Sequence, residues 1–204
     1  KVMVLNAQDL FLFTDKIELY LDQNSISPLS IDSLTEIQWQ LMSSSFYPNK
    51  SKEKTLLLGQ IMLEEKPDII MLSEVGGQES LYNFSLLALN NQYTPYTLSS
   101  NSDRGIDLGY LVSKNLHHKT HLQSYRHYPI GRKGEKFSRD VLRLDLRNHQ
   151  GKIKIIFLLV HLKSKRPSKS KDFEGRSQRE KEISGLVTIY NRLRKKYPST
   201  PIIV

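Results

Sequence analysis

The chain has 204 residues, enough for one domain with a sizeable core. It has 30 Lys and Arg residues against 21 Asp and Glu residues, and the formal net charge of +9 favours anionic partners such as nucleic acid, other phosphoesters or an anionic membrane surface. The absence of cysteine excludes disulfides, thiol catalysis and thiolate metal sites, and no apolar run approaches the roughly 18 residues of a membrane-spanning helix. The compartment stays open between cytoplasm and secretion, because the sequence begins at Lys1 and a signal peptide could have been removed.

The N-terminal part combines a short strand with a long polar segment. Residues 2–5 form an apolar run that predicts a first buried strand, ended by Asn6. Residues 14–55 are rich in serine and polar residues, and we predict that they form an insert in a single domain that spans residues 1–204. A connection of this length is either functional or locally folded, so a substrate-shaping lid and a plain surface excursion are the alternatives.

The stretch around Glu74 is predicted to form a buried strand. Residues 69–72 are all apolar, and two glycines follow at positions 76 and 77. Such a run is typical of a strand that is covered on both faces. Glu74 therefore lies where the strand opens into a glycine loop, and it is either an exposed loop acid or a metal ligand at the open edge of a sheet.

Two amphipathic helices are predicted to flank this strand. The first spans residues 51–66, with Ser51 as its N-cap and a buried face of Leu57, Leu58, Ile61 and Met62. The second spans residues 80–91, and its inward residues are Leu81, Phe84, Leu87 and Ala88. Helices on both sides of a buried strand indicate a layered α/β architecture.

The following segments are predicted to be strands. Residues 96–99 and 108–112 are two candidates. Residues 141–147 alternate between apolar and mostly charged residues, which predicts a half-buried strand. A turn at residues 148–151 joins it to an apolar strand at residues 153–160, so the pair is predicted to be an antiparallel hairpin.

A basic segment and a long helix lie near the C-terminus. Residues 163–181 carry eight Lys or Arg against three acids, a net +5. The helix is predicted over residues 177–197, with an inward stripe of Ile183, Leu186, Val187, Tyr190 and Leu193. Arg176 and Arg179 lie near its N-terminus, where the helix dipole disfavours cations, and this mismatch indicates that they serve a ligand. The alternative is a solvated basic loop without a partner.

Polar residues stand at the ends of several predicted strands. Asn6, Glu74 and His161 each follow an apolar run, whereas Asp107 and Arg139 each precede one. Taken alone, His161 could equally be a structural histidine at a strand end, and Arg139 and Asp107 could form a structural ion pair. Together, the five residues predict an active site at one edge of packed sheets.

Five segments carry a resemblance to a known family. They are residues 4–11, 67–75, 104–112, 138–142 and 160–164. In this order they resemble the motifs of the endonuclease/exonuclease/phosphatase superfamily, the pancreatic-deoxyribonuclease-like metal-dependent phosphoesterases.

The resemblance implies a fold, a metal and roles for the site residues. The fold is α/β (α+β), a four-layer α/β/β/α sandwich with two mixed, mainly antiparallel sheets. The cofactor is Mg²⁺ or Mn²⁺, bound by Glu74 with support from Asn6. The remaining catalytic residues are His161 and Arg139, which contact the scissile phosphate, and Asp107, which forms hydrogen bonds at the site. The residues expected to bind substrate phosphate are Arg139, Lys163, Arg176 and Arg179.

The sequence departs from the family pattern after residue 202. The family continues with a Gly-Asp-Phe-Asn-type motif and with an Asp-His pair that activates the attacking water, and neither lies in this chain. We therefore expect the C-terminal strands to be missing, the 204-residue chain alone to be inactive, and a C-terminal segment to complete the fold. Residues 202–204 are expected to form an exposed apolar sheet margin.

The sequence thus predicts a metal-dependent phosphodiester hydrolase, most simply an endonuclease or exonuclease that acts on nucleic acid. One alternative is a phospholipid or phosphoinositide phosphoesterase of the same superfamily. The other is a non-catalytic module that only binds anions.

Overall fold

The computed structural model describes residues 1–13, 34–43, 50–165 and 173–204. The strands are β1 (Val2–Leu10), β2 (Ile69–Val75), β3 (Tyr93–Leu98), β4 (Asp107–Ser113), β5 (Lys119–Ser124), β6 (Val141–Arg147), β7 (Ile153–Val160) and β8 (Ile202–Ile203). The helices are α1 (Glu36–Leu41), α2 (Lys52–Glu65), α3 (Gly77–Ala88) and α4 (Arg176–Lys196), and a 3₁₀ turn at Phe173–Gly175 precedes α4. None of the described helices is long and apolar enough to cross a membrane. Most of the predicted insert at residues 14–55 lies outside the described residues.

The strands form two mixed four-stranded sheets, ordered β1-β2-β4-β3 and β5-β6-β7-β8. β1 is parallel to β2 and β7 is parallel to β8, whereas β6 is antiparallel to both β5 and β7. The predicted α+β class and the hairpin of β6 with β7 are confirmed. β5 has no apolar run and was not predicted.

The chain divides into two compact units, and each is described by itself. Unit 1 comprises Lys1–Thr97 and Gly109–His117, and unit 2 comprises Leu98–Leu108 and His118–Val204. The assignment of residues 1–204 to a single domain stays a prediction.

The core of unit 1 forms around β2. Its four apolar residues, from Ile69 to Leu72, are at most 2% exposed, as the uninterrupted apolar run predicts. α2 begins after Ser51, whose Oγ accepts a hydrogen bond from the N–H of Lys54. It ends at Lys66, which adopts a left-handed conformation directly before the proline that blocks further helix.

The predicted buried face of α2 is partly wrong. Leu57 and Ile61 are 54% and 42% exposed, whereas Met62 is fully buried as predicted. The reason is Gly59, where an added Cβ would lie 2.6 Å from the carbonyl oxygen of Ala88. The backbones of α2 and α3 approach over this glycine, so the glycine side of α2 faces inward.

Two further predictions fail in unit 2. β6 is buried on both faces and not on one, because the charged face places Arg143 and Asp145 in a buried ion pair. In α4, Ile183 and Val187 are about half exposed. Of the predicted stripe, Leu193 is buried, and Leu186 and Tyr190 are partly buried against the core of this unit. The other buried residues of α4 are Glu182, Gly185 and Ile189.

The edge strand β8 agrees with its prediction. It is the outermost described strand of its sheet and pairs with β7 through Ile202 opposite Ile156. Ile203 and Val204 are 38% and 59% exposed.

Asp140 is expected to make the stability of unit 2 depend on pH. Burial raises the pKa of this carboxyl group to about 6 from 3.8, against the hydrogen bonds from Ser124 and from the N–H of Tyr125. Between these pH values the unfolded state binds fewer protons than the native state, so stability falls as pH rises. Asp140→Asn is expected to remove this pH-dependent loss of stability. The difference in free energy of unfolding between the variant and the parent should therefore shift in favour of the variant by up to about 3 kcal/mol from pH 4 to pH 7.

Urea unfolding of both proteins across this pH range measures the effect. Glu180→Gln is the control, because this acid is exposed on α4. If the free energies of unfolding of Asp140→Asn and the parent changed in parallel with pH, the raised pKa of Asp140 would be contradicted.

Candidate functional site

Asn6 and Glu74 lie on neighbouring parallel strands of unit 1. Asn6 is opposite Ser73, and Leu10 is opposite Val75, with an irregular register between the two pairs. β1 was predicted to end at Asn6. It instead continues to Leu10, and the irregular register between these residues is a β-bulge. The bulge therefore runs alongside the end of β2 that carries Glu74.

Three residues of this region have left-handed backbone conformations. The φ angles of Gln8, Asp9 and Glu74 are 55°, 57° and 62°. Each such conformation costs a non-glycine residue about 1 kcal/mol or more, and such costs concentrate at functional sites.

Gly76 connects the loop that follows Glu74 to the bulge through a hydrogen bond and a close contact. Its N–H donates to the carbonyl of Leu10 at 2.8 Å. An added Cβ would lie 2.4 Å from the ring of Phe11 and 2.7 Å from Ser80 Oγ, so only glycine permits this approach. The predicted glycine loop thus has a defined structural function.

The side chains of this region carry amide and carboxylate oxygens, the ligand types that hard cations prefer. Asn6 Oδ1 accepts a hydrogen bond from the N–H of Gln8 at 2.9 Å, and Glu74 is half-buried. Asp9 Oδ1 is buried and has no hydrogen-bond partner among the described residues. Within this described part of the chain, no group of three or more His, Asp or Glu could hold a metal. Mg²⁺ often binds one or two carboxylates and keeps several waters, so the donors fit it.

Asp9 and Lys50 were not predicted from the sequence. Asp9 lies three residues after Asn6, and only the bulge shows that it belongs to this region. Burial and the charge of Lys54 lower the pKa of Lys50, and the nearby Glu74 carboxylate partly opposes this shift.

A cavity of about 540 Å³ lies in unit 2 and contains the second group of predicted residues. We call it the Arg139 cavity. Its lining residues are Asn101, Ser102, Asp103, Arg104, Ser138, Arg139, Lys163 and Ser164. Three of these carry a positive charge and one a negative charge, so the cavity has a positive surplus.

Arg139 and Lys163 are held by hydrogen bonds to the backbone. Arg139 is 6% exposed, and its Nη1 donates to the carbonyl of Leu162 at 3.0 Å. The Nη1 of Arg179 donates to the carbonyl of Lys163 at 3.2 Å and to that of Glu174 at 2.7 Å. Arg179 therefore supports the cavity from α4 and does not line it.

Glu182 joins the two loops of the Arg139 cavity. This carboxylate is 1% exposed; it accepts the N–H of Ser138 at 2.8 Å and the N–H of Lys163 at 2.7 Å. Gln178 also donates to it at 3.1 Å. Sequence reasoning missed Glu182 because it counted only the apolar positions of α4 as inward.

Asp107 and His161 both lie in unit 2, outside the lining of the Arg139 cavity. Asp107 Oδ1 accepts the N–H of Ser100 at 2.8 Å, which closes the loop whose next residues line the Arg139 cavity. Asp107 itself does not line this cavity. His161 directly follows β7 and is half-buried.

Arg176 has a different environment. Its side chain is 82% exposed, and its Nε lies 3.0 Å from Glu180 Oε1 one helical turn away. It does not line the Arg139 cavity. The predicted residues thus form two groups: Asn6 and Glu74 in unit 1, and the remaining six in unit 2.

The comparisons with known proteins concern the fold. Neither a protein-family model nor a curated protein sequence matches this chain. Among solved structures, truncated Caenorhabditis elegans TDP2 aligns with a TM-score of 0.53 and 20% identity, over 74% of this chain and 52% of that chain. The human Nocturnin catalytic domain, with a bound sulfate anion, aligns with a TM-score of 0.53 and 16% identity, over 75% of this chain and 55% of that chain.

The chain has the endonuclease/exonuclease/phosphatase fold. It spans about half the length of each of these two structures. Within this fold, the five motif residues lie at β1, at the end of β2, at the start of β4, before β6 and after β7. The endonuclease/exonuclease/phosphatase resemblance in the sequence is therefore confirmed at the level of the fold.

Proposed function

We propose that this protein is a metal-dependent phosphodiester hydrolase that acts on nucleic acid as an endonuclease or exonuclease. The observation that carries the proposal is the Arg139 cavity, in which Arg104, Arg139 and Lys163 surround a space large enough for a phosphate and its neighbours. The fold supports the proposal, and the Nocturnin catalytic domain of the same fold holds a sulfate, an anion of similar shape.

The proposed roles follow from the chemistry of each side chain. Arg139, which is fixed and nearly buried, presents a planar fork that suits two phosphate oxygens. Lys163 adds a point charge at the rim. His161 donates a hydrogen bond to the scissile phosphate, and Asp107 keeps the loop at the cavity closed. Arg179 supports the backbone of Lys163.

Asn6, Glu74 and Asp9 are the residues that would hold Mg²⁺ or Mn²⁺. When bound, the cation would neutralise the negative charge that develops on the phosphate oxygens. Asn6 orients the bulge, because its side-chain oxygen accepts the N–H of Gln8. The buried, unpaired Oδ1 of Asp9 is the donor that gains most from a cation, since a buried acceptor without a partner is costly.

The charge distribution favours a polyanionic substrate. Unit 2 contains 23 Lys and Arg residues against 9 Asp and Glu residues, so its formal net charge is 23 − 9 = +14. Unit 1 has 7 against 12, a net charge of −5. A charge concentrated in this way attracts a phosphate backbone, and the resulting affinity falls steeply with salt.

An assay of the full-length protein on a fluorescent oligonucleotide tests the proposal. We expect cleavage that requires Mg²⁺, stops with EDTA and weakens at high salt. Arg139→Gln is expected to lower the rate about a hundredfold, because the cavity loses a charge-assisted phosphate contact. Lys119→Gln, an exposed change on β5, is the control.

Two other outcomes would replace this proposal. Hydrolysis of a phosphoinositide but not of DNA or RNA would favour the lipid phosphoesterase alternative. Oligonucleotide binding that is insensitive to EDTA and to Glu74→Gln, without any cleavage, would favour a non-catalytic anion-binding module.

A further inference from the structure

A second basic cavity lies in unit 2, against the C-terminal third of α4. Its volume is about 200 Å³, and it shares no residue with the Arg139 cavity. We call it the Arg192 cavity. Its polar lining residues are Gln123, Tyr125, Tyr128, Arg143, Arg192 and Lys196. Along α4, Arg192 lies ten residues beyond Glu182, a distance of about 15 Å at the helical rise.

The lining carries three cations and no acid among the described residues. The deepest cation is Arg143, which is 5% exposed. Its Nε and Nη2 donate to the two carboxylate oxygens of Asp145 at 2.6 and 2.9 Å, so the guanidinium is fixed before any ligand arrives. Arg147 Nη2 also donates to this carboxylate at 3.2 Å. One buried acid therefore balances two arginines, and the group keeps a positive charge.

Arg192 and Lys196 add two cations on one face of α4. They are four residues apart, where like charges on a helix repel each other. Aromatic rings hold them in place: the guanidinium of Arg192 lies 5.4 Å from the ring centre of Tyr128, and the Lys196 ammonium 5.4 Å from that of Tyr197. The pKa of Tyr197 is lowered, chiefly by a hydrogen bond from Arg143, as expected in a positive field.

A purely structural explanation accounts for part of this arrangement. Cations in the last turn of a helix stabilise its dipole, and this explains Arg194, Lys195 and Lys196. The dipole does not explain why Arg143 and Arg147 share a single carboxylate on β6. Nor does it explain an open cavity whose polar walls are cationic and aromatic.

We infer that the Arg192 cavity binds a phosphoryl oxyanion at a site separate from the proposed catalytic one. The guanidinium of Arg192 and the ammonium of Lys196 suit the tetrahedral oxygens of a phosphate, and the fork of Arg143 behind them is held by Asp145. The apolar side chains of Ile189 and Leu193 and the rings of Tyr125 and Tyr128 form the rest of the wall. The volume admits a phosphate group with a few waters or an attached sugar. This inference goes beyond the proposed hydrolysis and does not depend on it.

The experiment compares two matched double variants of the full-length protein. Arg192→Glu with Lys196→Glu reverses both exposed cations of the cavity. Arg194→Glu with Lys195→Glu makes the same change in formal charge on the same helical turn, at residues that do not line it. Binding of inorganic phosphate is measured by calorimetry at low salt. Any phosphate bound in the Arg139 cavity contributes to the two variants alike.

We expect the cavity variant to bind phosphate about tenfold more weakly than the control variant. Equal weakening in both variants would overturn the inference, because the effect would then be general electrostatics. The absence of any phosphate binding to the parent would overturn it as well. If the glutamate variants fail to fold by circular dichroism, the corresponding glutamine pairs replace them with the same criterion.

A second arm distinguishes the source of the phosphate. Anisotropy of a fluorescent single-stranded oligonucleotide is measured in EDTA, so that no cleavage occurs. Weaker oligonucleotide binding in the cavity variant alone would indicate a nucleic-acid phosphate. Unchanged oligonucleotide binding together with weaker phosphate binding would indicate a small free phosphate.

Discussion

Replacing Glu74 with alanine is expected to lower Mg²⁺-dependent cleavage by the full-length protein about a thousandfold while leaving it folded. A bound metal ion is worth several kcal/mol of charge stabilisation in the transition state, and each 1.36 kcal/mol changes the rate tenfold. Glu74 is half-buried at the end of β2 and outside the apolar core cluster of unit 1. Alanine meets the same steric cost at a φ of 62°, so we expect stability to change by about 1 kcal/mol or less.

The measurement is the initial rate as a function of Mg²⁺ concentration, together with urea unfolding. Glu64→Ala is the matched control, because it removes an exposed carboxylate from α2 in the same unit. Parent-like activity and Mg²⁺ dependence in Glu74→Ala would show that the carboxylate is not a metal ligand. A large loss of stability would instead assign it a structural role.

The strands that are covered on both faces were predictable from local sequence. Residues 69–72 of β2 and residues 156–159 of β7 are apolar without interruption, because neither face of these segments meets water. The five motifs are also short continuous segments, and their motif residues lie within or next to strands. These features arise from residues that are adjacent in sequence, so the sequence alone was enough to predict them.

The buried faces of the helices were less predictable. α2 and α4 each have apolar residues over more than one face, so the period alone leaves the inward face undecided. Gly59 sets it in α2 by allowing a close helix contact, and Glu182 sets it in α4 by accepting hydrogen bonds from two loops. Glycine and glutamate are poor markers of burial, and so Ile61 and Ile183 were assigned inward wrongly.

The charged face of β6 shows the same limit. An alternation of apolar and charged residues is typical of a strand with one wet face. Here Arg143 and Asp145 neutralise each other at 2.6 Å, and the face is buried. The spacing of two residues that permits this pair was visible in the sequence, but the elements that cover it were not.

The sequence indicated candidate site residues by their type, but it did not indicate the residues that hold them in position. Glu74 lies near the end of β2, and Arg139 and Lys163 lie just outside β6 and β7, which the apolar runs define, whereas Asn6 lies within β1. The supporting residue Glu182 contacts Ser138 over 44 positions of sequence, and no local pattern reports such a contact.

Replacing Glu182 with alanine is expected to have the largest effect on the Arg139 cavity from outside it. The change leaves the N–H groups of Ser138 and Lys163 without their acceptor in a part of unit 2 where the carboxylate is 1% exposed. Hydrogen bonds to a charged group are worth about 1.5–3 kcal/mol each, so we expect a loss of stability of about 3–5 kcal/mol. The loops that carry Arg139 and Lys163 lose their common anchor, and phosphate affinity should fall with them.

A positioning function and a merely structural one differ in kinetics. Under conditions where the variant stays folded, displaced phosphate ligands should raise KM for the oligonucleotide about tenfold and also lower kcat, because Arg139 no longer meets the transition state in its fixed orientation. Glu182→Gln should recover part of the stability but little of the activity, since its amide offers one acceptor oxygen where the carboxylate offers two. The matched control is Glu180→Ala, which breaks only an exposed pair with Arg176 and should cost about 0.5 kcal/mol or less. If Glu182→Ala lost stability but kept the KM and kcat of the parent, Glu182 would be a fold residue alone, and the geometry of the Arg139 cavity would not depend on it.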